Sequence, residues 1–247
     1  INNNNIYVQS ASAAYGLYSY GRSDGTKPWS VKNNKIVTRG GSSTVYGMYN
    51  YYASNLDFVN NSIYASGSST CYAYLGGYNN GGGRFYNNTM HAQSNSTNYT
   101  FYCYESSGSQ SATLRNNVFS RVGGSGYLMY GYQPQYYNMD YNNFWANGSG
   151  TLLYWGGVGT GYTTMTAIRT GTNQNHNSVS YNPGFMNIAT GDIRPDPANA
   201  NSWSLNGRGV QLTGNDKDVD GIPRALTTIQ GVPDIGAYEF TPSATPP

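Results

Sequence analysis

An Asn-Asn pair recurs six times in this chain: Asn4-Asn5, Asn33-Asn34, Asn60-Asn61, Asn87-Asn88, Asn116-Asn117 and Asn142-Asn143, with spacings of 29, 27, 27, 29 and 26 residues. A second marker drifts with the same period. It is an aliphatic or small residue followed by Tyr, at Leu17-Tyr18, Met48-Tyr49, Ala73-Tyr74, Cys103-Tyr104, Met129-Tyr130 and Leu153-Tyr154. Two markers sharing a period of about 27 residues imply stacked structural repeats, each unable to bury its apolar face without its neighbours.

The residues flanking each Asn pair show how one repeat bends. Val31, Phe58, Phe85 and Leu114 lie two positions before the pair, and Ile36, Ile63, Met90, Phe119 and Trp145 lie three after its first Asn. That separation is odd, so a straight strand would send the two apolar positions to opposite faces. A bend at Asn-Asn returns both to the interior, and Asn tolerates the left-handed backbone such a bend requires. Stacked from rung to rung, one Asn of each pair can also bond its amide to the next, forming an internal ladder. At Tyr141-Asn142-Asn143 the apolar slot holds Asp140 and the apolar residue is Met139, which predicts a register shift of one. The four consecutive Asn at the start leave the first register open.

The other strand is read as alternating. Leu17, Met48, Ala73, Cys103, Met129 and Leu153 are expected inside, sharing a face with Tyr15, Tyr46, Cys71, Phe101, Tyr127 and Thr151. Tyr18, Tyr49, Tyr74, Tyr104, Tyr130 and Tyr154 then point outward, since a buried phenol needs a hydrogen-bond partner. Three short strands per turn of about 27 residues, stacked about 4.8 Å apart, describe an all-β chain of the parallel β-helix type. Propeller blades need about 40 residues. Composition agrees: 26 Tyr and 32 Gly with only 10% charged residues suit strands and tight turns rather than helical repeats. A net charge of +2 with scattered Lys and Arg argues against nucleic acid as a partner. Apolar runs are too short for membrane insertion. The chain begins in mid-repeat, and Thr241 to Pro247 reads as a linker, so attachment to further domains of an exported protein is expected. Cys71 and Cys103 are expected as buried thiols, because the diagonal between neighbouring strands, roughly 7–8 Å, is long for a disulfide.

The tandem Asn turns resemble those of right-handed parallel β-helices of the pectate-lyase type. The series Ser178-Val-Ser-Tyr-Asn-Pro-Gly-Phe185, Gly191-Asp-Ile-Arg194, Asp218-Val-Asp-Gly-Ile-Pro-Arg224 and Asp234-Ile-Gly-Ala-Tyr-Glu239 resembles the closing segment of secreted bacterial β-helix repeat proteins of Bacteroidota, of choice-of-anchor type. That resemblance implies an extracellular or cell-surface location and no single activity. The expected architecture is a right-handed solenoid of about seven coils, with repeats over 1–156, a last coil and C-terminal cap over 157–240, and a linker over 241–247.

The outward column of Tyr18, Tyr49, Tyr74, Tyr104, Tyr130 and Tyr154 is the leading candidate site, as an aromatic strip for a polysaccharide or cell-surface glycan. Self-stacking, or cover by a loop or another domain, is the competing structural explanation. Asp216, Asp218 and Asp220 match the first half of a calcium loop, but Thr227 stands where an EF-hand needs Glu. A polar network of Asp218, Asp220, Arg224 and Glu239 pinning the cap is the simpler reading, so no cofactor is expected beyond a possible Ca2+. For catalysis the repeats offer only Asp24 (near Lys27), Asp57, Glu105 and Asp140, and Asp57 should pair with Arg84 on the next rung as a surface ion pair. His91 should face solvent and His176 lies in an Asn-rich loop, neither with a triad partner. Asn60, Asn95, Asn98 and Asn147 are N-x-S/T sites of the kind an Asn-rich chain supplies by chance. The expectation is a non-catalytic binding or spacer domain contacting carbohydrate. A polysaccharide lyase or hydrolase, and a structural stalk or self-associating adhesin, are the alternatives.

Overall fold

The two Asn of each pair do different jobs, and between them they build the corner of the coil. In the computed structural model, which describes residues 1–21, 29–52, 55–77, 83–104, 112–148 and 150–247, the first Asn is left-handed at every regular rung: φ is 60° at Asn3, 55° at Asn33 and Asn60, 51° at Asn87 and 57° at Asn116. At the shifted rung Tyr141 takes that role, with φ 57°. The second Asn turns inward. Asn4 Nδ2 donates to Asn34 Oδ1 at 2.9 Å, Asn34 to Asn61 at 2.9 Å, Asn61 to Asn88 at 3.0 Å, Asn88 to Asn117 at 2.9 Å and Asn117 to Asn142 at 3.0 Å. Each Oδ1 also accepts the backbone N–H of the preceding ladder Asn, as from Asn61 N to Asn88 at 2.9 Å. The other Nδ2 hydrogen reaches a carbonyl, as from Asn88 to Phe58 O at 2.9 Å. Each interior amide is therefore satisfied where water cannot reach it. Asn142 N ends the row on Ser178 Oγ at 2.9 Å.

Three parallel sheets result. Sheet I contains Asn5–Gln9, Lys35–Arg39, Ser62–Gly67, Thr89–Ser94, Val118–Val122 and Asn143–Asn147. Sheet II contains Ala14–Tyr20, Val45–Tyr51, Cys71–Gly76, Asn98–Cys103, Tyr127–Gly131 and Thr151–Trp155, and sheet III contains Trp29–Lys32, Leu56–Val59, Gly83–Tyr86, Ala112–Arg115 and Tyr137–Asp140. This is a parallel β-solenoid of about five complete turns, not seven. The coil stops because Thr160–Tyr162 pairs antiparallel with Thr151–Trp155 and the chain then enters helix Met165–Thr172. Thr164 caps that helix by accepting from Ala167 N at 3.1 Å, and Met165 and Ile168 join the interior of the coil. Phe58 and Ile63, on either side of one Asn turn, are both fully buried, as the bend requires. At the shifted rung Phe144, not Trp145, fills the interior position opposite Phe119.

The segment after residue 180 runs beside the coil, against the outer face of sheet I, rather than only across its end. Tyr64 and Val118 of that face pack with Phe185, Ile193, Leu205 and Ile235 in a second apolar cluster. The first Asn of the three middle pairs tethers the segment: Asn60 Nδ2 donates to Asn215 Oδ1 at 2.7 Å, Asn87 Nδ2 to Asp234 O at 3.2 Å, and Asn116 Nδ2 to Val210 O at 2.8 Å. Buried Arg224 pairs with Glu239, whose N–H donates to Asp218 Oδ2 at 2.8 Å.

His91 corrects the expectation that it faces solvent. It does point out of the coil, but the returning segment covers it completely. Its ring stacks on Tyr64 at 5.4 Å, meets Phe185 edge-on at 5.8 Å, and places Nδ1 2.8 Å from Ser120 Oγ. Burial holds the imidazole down at about 4. The unfolded chain binds this proton near pH 6.5, so the stability contributed is present above that value and lost as pH falls through about 4. The loss is on the order of 3 kcal/mol. Urea midpoints at pH 7 and pH 4 should therefore converge in His91→Phe relative to the native chain. Parallel midpoints in the two proteins would show that His91 does not set this dependence.

Candidate functional site

The register of sheet II is set by a bend that alternation alone does not foresee. Met48 lies opposite Tyr74, Phe101 opposite both Tyr74 and Met129, and Met129 opposite Leu153. The interior column is thus Leu17, Met48, Tyr74, Phe101, Met129 and Leu153. Just before it in each strand comes a second inward residue, buried in every strand after the first, and early in the coil that residue must be small. A Cβ on Gly47 would sit 2.4 Å from Ile63 Cγ2 and 2.6 Å from the carbonyl oxygen of Ala73. Two consecutive inward residues leave the positions on either side pointing outward. The resulting motif is Tyr-x-x-Tyr: Tyr15 and Tyr18, Tyr46 and Tyr49, Tyr72 and Leu75, Tyr99 and Tyr102, Tyr127 and Tyr130, with Thr151 and Tyr154 last.

Four of the six proposed binding tyrosines, Tyr18, Tyr49, Tyr130 and Tyr154, are in one outward column. Tyr74 is not. It is fully buried, stacked on Phe101 at 5.1 Å, and the outward place on its rung belongs to Leu75. Tyr104 is exposed but lies past the end of its strand, and Tyr102 occupies the place opposite Tyr130. Tyr15, Tyr46 and Tyr127, expected inside, are instead outside, in a column with Tyr72 and Tyr99. The repeated Tyr-x-x-Tyr spacing is the sequence signal that identifies it.

The two columns form one aromatic field. Ring centroids are 4.7 Å apart for Tyr15–Tyr46, 5.3 Å for Tyr46–Tyr72 and 4.8 Å for Tyr72–Tyr99, with planes within 18° of parallel. Tyr102–Tyr130 are stacked at 4.2 Å and Tyr127–Tyr154 at 4.4 Å, while Tyr18–Tyr49 meet edge-on at 5.2 Å. The faces of these rings are occupied by one another, so their edges and hydroxyl groups are what the surface displays. No Asp, Glu, Lys or Arg occurs in the six parallel strands of sheet II. Burial, followed by the neighbouring phenols, pushes Tyr72 and Tyr102 above their ordinary range, which keeps the field neutral.

The remaining candidates are engaged elsewhere. Asp57 is 5% exposed and pairs with Lys32 and with Arg84 at 2.9 Å, so the expected ion pair forms with its carboxylate buried. Asp140 accepts from Asn177 N at 2.7 Å and Asn177 Nδ2 at 2.8 Å. Asp24, Lys27 and Glu105 lie outside the described residues. Asp216, Asp218 and Asp220 do not converge: Asp218 Oδ1 accepts Asp220 N and Ile222 N at 2.8 Å each, Asp220 pairs with Lys35, and Asp216 is exposed. No group of three metal-ligating side chains occurs among the described residues. Cys71 and Cys103 are buried thiols and form no disulfide. Cys103 lies opposite Gly76, five positions beyond Cys71 along the strand, which is roughly 16 Å at about 3.3 Å per residue. Comparison with protein-family models, curated proteins and solved structures finds no match to this chain.

Proposed function

We propose that this chain is a non-catalytic binding module whose contact surface is the tyrosine field of sheet II, with polysaccharide as the ligand class. The observation that carries the reading is the contrast between the outer faces. The middle strands of sheet I are covered by the chain's own C-terminal segment, and sheet III carries the Lys32–Asp57–Arg84 cluster. Sheet II presents an uncharged aromatic surface in which Tyr15, Tyr18 and Tyr20 are 46%, 51% and 65% exposed. A large exposed patch of this kind marks an interaction site more often than it serves stability. Because the faces stack on each other, a sugar polymer would be held by ring edges and phenol hydroxyls, weakly per rung and additively along its length. Export to the cell surface and attachment to further domains, in the manner of secreted bacterial β-helix proteins, belong to the same proposal and rest on the sequence resemblance.

The test is retention on an insoluble polysaccharide. Changing Tyr46 and Tyr72 together to Ala interrupts the field at its centre without touching the interior, so retention should be lost. Stacked pairs are worth about 0.5–1.5 kcal/mol each, so the melting temperature should fall by several degrees and folding should survive. Full retention by a folded double variant would exclude the field as the contact surface. Concentration-dependent self-association that the same double change abolishes would instead assign the surface to a second copy of the chain.

A further inference from the structure

Tyr102 and Tyr130 lie directly opposite one another on successive rungs of sheet II. Their ring centroids are 4.2 Å apart with planes 11° from parallel, closer than the Tyr127–Tyr154 stack at 4.4 Å. The Tyr102 hydroxyl donates to that of Tyr130. The two rings are therefore stacked in register, and the ortho carbons beside each hydroxyl face their counterparts. Both side chains point outward and are half-buried, so an oxidant in solution can reach them and the rings are free to tilt. This arrangement suits a covalent reaction. The unpaired electron of a phenoxyl radical occupies the π system, at the oxygen and at the ortho and para carbons, so two radicals couple through their faces. The para carbon already carries Cβ, which leaves the ortho carbons. Edge-on contacts such as Tyr18–Tyr49 and Tyr72–Tyr102, with planes 81° and 84° apart, present C–H bonds instead.

We propose that Tyr102 and Tyr130 are a site of oxidative cross-linking, at which a peroxide-driven one-electron oxidant joins the two rings as dityrosine and staples one rung to the next. The oxidant takes one electron from each phenol, and each hydroxyl proton passes to water. The two radicals then form one carbon–carbon bond between their ortho positions. Each ring regains its aromaticity by losing the hydrogen at that carbon as a proton and taking one up at its oxygen. In sum the pair loses two hydrogen atoms and one hydrogen peroxide becomes two waters. The new bond closes a loop of chain between residues 102 and 130, which restricts the unfolded chain far more than the folded one. The inference rests on ring geometry and is independent of any polysaccharide.

The test is to oxidise the native chain with a haem peroxidase and hydrogen peroxide, digest it with trypsin and weigh the peptides. Cleavage after Arg84, Arg115, Arg121 and Arg169 places Tyr102 and Tyr130 in different peptides, 85–115 and 122–169. The expected product is these two peptides joined with the loss of two hydrogen atoms, from a chain that still runs as a monomer on a denaturing gel. Tyr102→Phe and Tyr130→Phe keep a stacked ring but remove the phenol, so each should lose the joined species, whereas Tyr18→Phe should retain it. The cross-linked chain should unfold at a higher urea concentration than the untreated one. Absence of the joined peptides from the oxidised native chain would overturn the proposal, as would their persistence in either Phe variant. Cross-links found only between chains, or an unchanged urea midpoint after cross-linking, would overturn it equally.

Discussion

Asn88→Ala should be among the most destabilising single changes in the repeats, costing about 3 kcal/mol or more. The side chain accepts from Asn61 N at 2.9 Å and Asn61 Nδ2 at 3.0 Å, and donates to Phe58 O at 2.9 Å and Asn117 Oδ1 at 2.9 Å. Truncation strands two donors and a carbonyl in the interior, and each orphaned buried group costs about 1–3 kcal/mol. Asn88→Asp is no rescue, because it removes both donors and introduces a buried charge. Asn4→Ala, at the exposed end of the row, removes far less, since Asn4 is itself exposed. Chemical denaturation of the three variants checks this. Equal losses at Asn4 and Asn88 would mean that the ladder does not carry interior stability.

Arg224→Ala should cost about 3–5 kcal/mol, the range for removing one partner of a buried ion pair. The Arg224 side chain is 2% exposed, pairs with Glu239, and donates to Gly236 O at 3.0 Å and Asn60 Oδ1 at 3.2 Å. Without it, three carboxylates (Asp218, Asp234 and Glu239) share a dry site with no cation. Burial first, and Glu239 second, already push Asp234 up to about 7. A raised carboxyl contributes stability fully below about pH 4 and loses it as pH rises through about 7. The deficit of Arg224→Ala relative to the native chain should therefore be smaller at pH 5 than at pH 8. Hydrogen exchange should show faster exchange over residues 205–240, with the turns at Asn61 and Asn88 still protected. A deficit independent of pH would remove the carboxylate cluster from the explanation.

The parts of this fold legible in the sequence were those enforced at each turn by the same local chemistry. A left-handed corner followed by an interior amide admits few residue types, so Asn pairs mark the turns, and Asp140 in an apolar slot announced the one-residue shift that Tyr141 accommodates. The sheet II register was less legible because Ala73-Tyr74 imitates the Met48-Tyr49 pair one position out of place. Strict alternation also fails where Gly47 and Met48 both turn inward. Tyr74 was consequently placed outside and Tyr46 inside, the reverse of what is found. The return of the C-terminal segment onto sheet I left no periodic trace. Its contacts, such as Asn60 with Asn215, join residues 155 positions apart, and His91 looks solvent-facing until that segment is placed.

The tyrosine field is tested most directly by chemical footprinting, iodinating the native chain with and without the insoluble polysaccharide that retains it. In the free chain Tyr15, Tyr18 and Tyr20 should label readily and Tyr74 should not. With the polymer present, tyrosines of sheet II should be protected together, while Tyr7, 63% exposed on sheet I, should label as before. Labelling of sheet II unchanged in the retained protein, or of Tyr74 in the free one, would contradict the account.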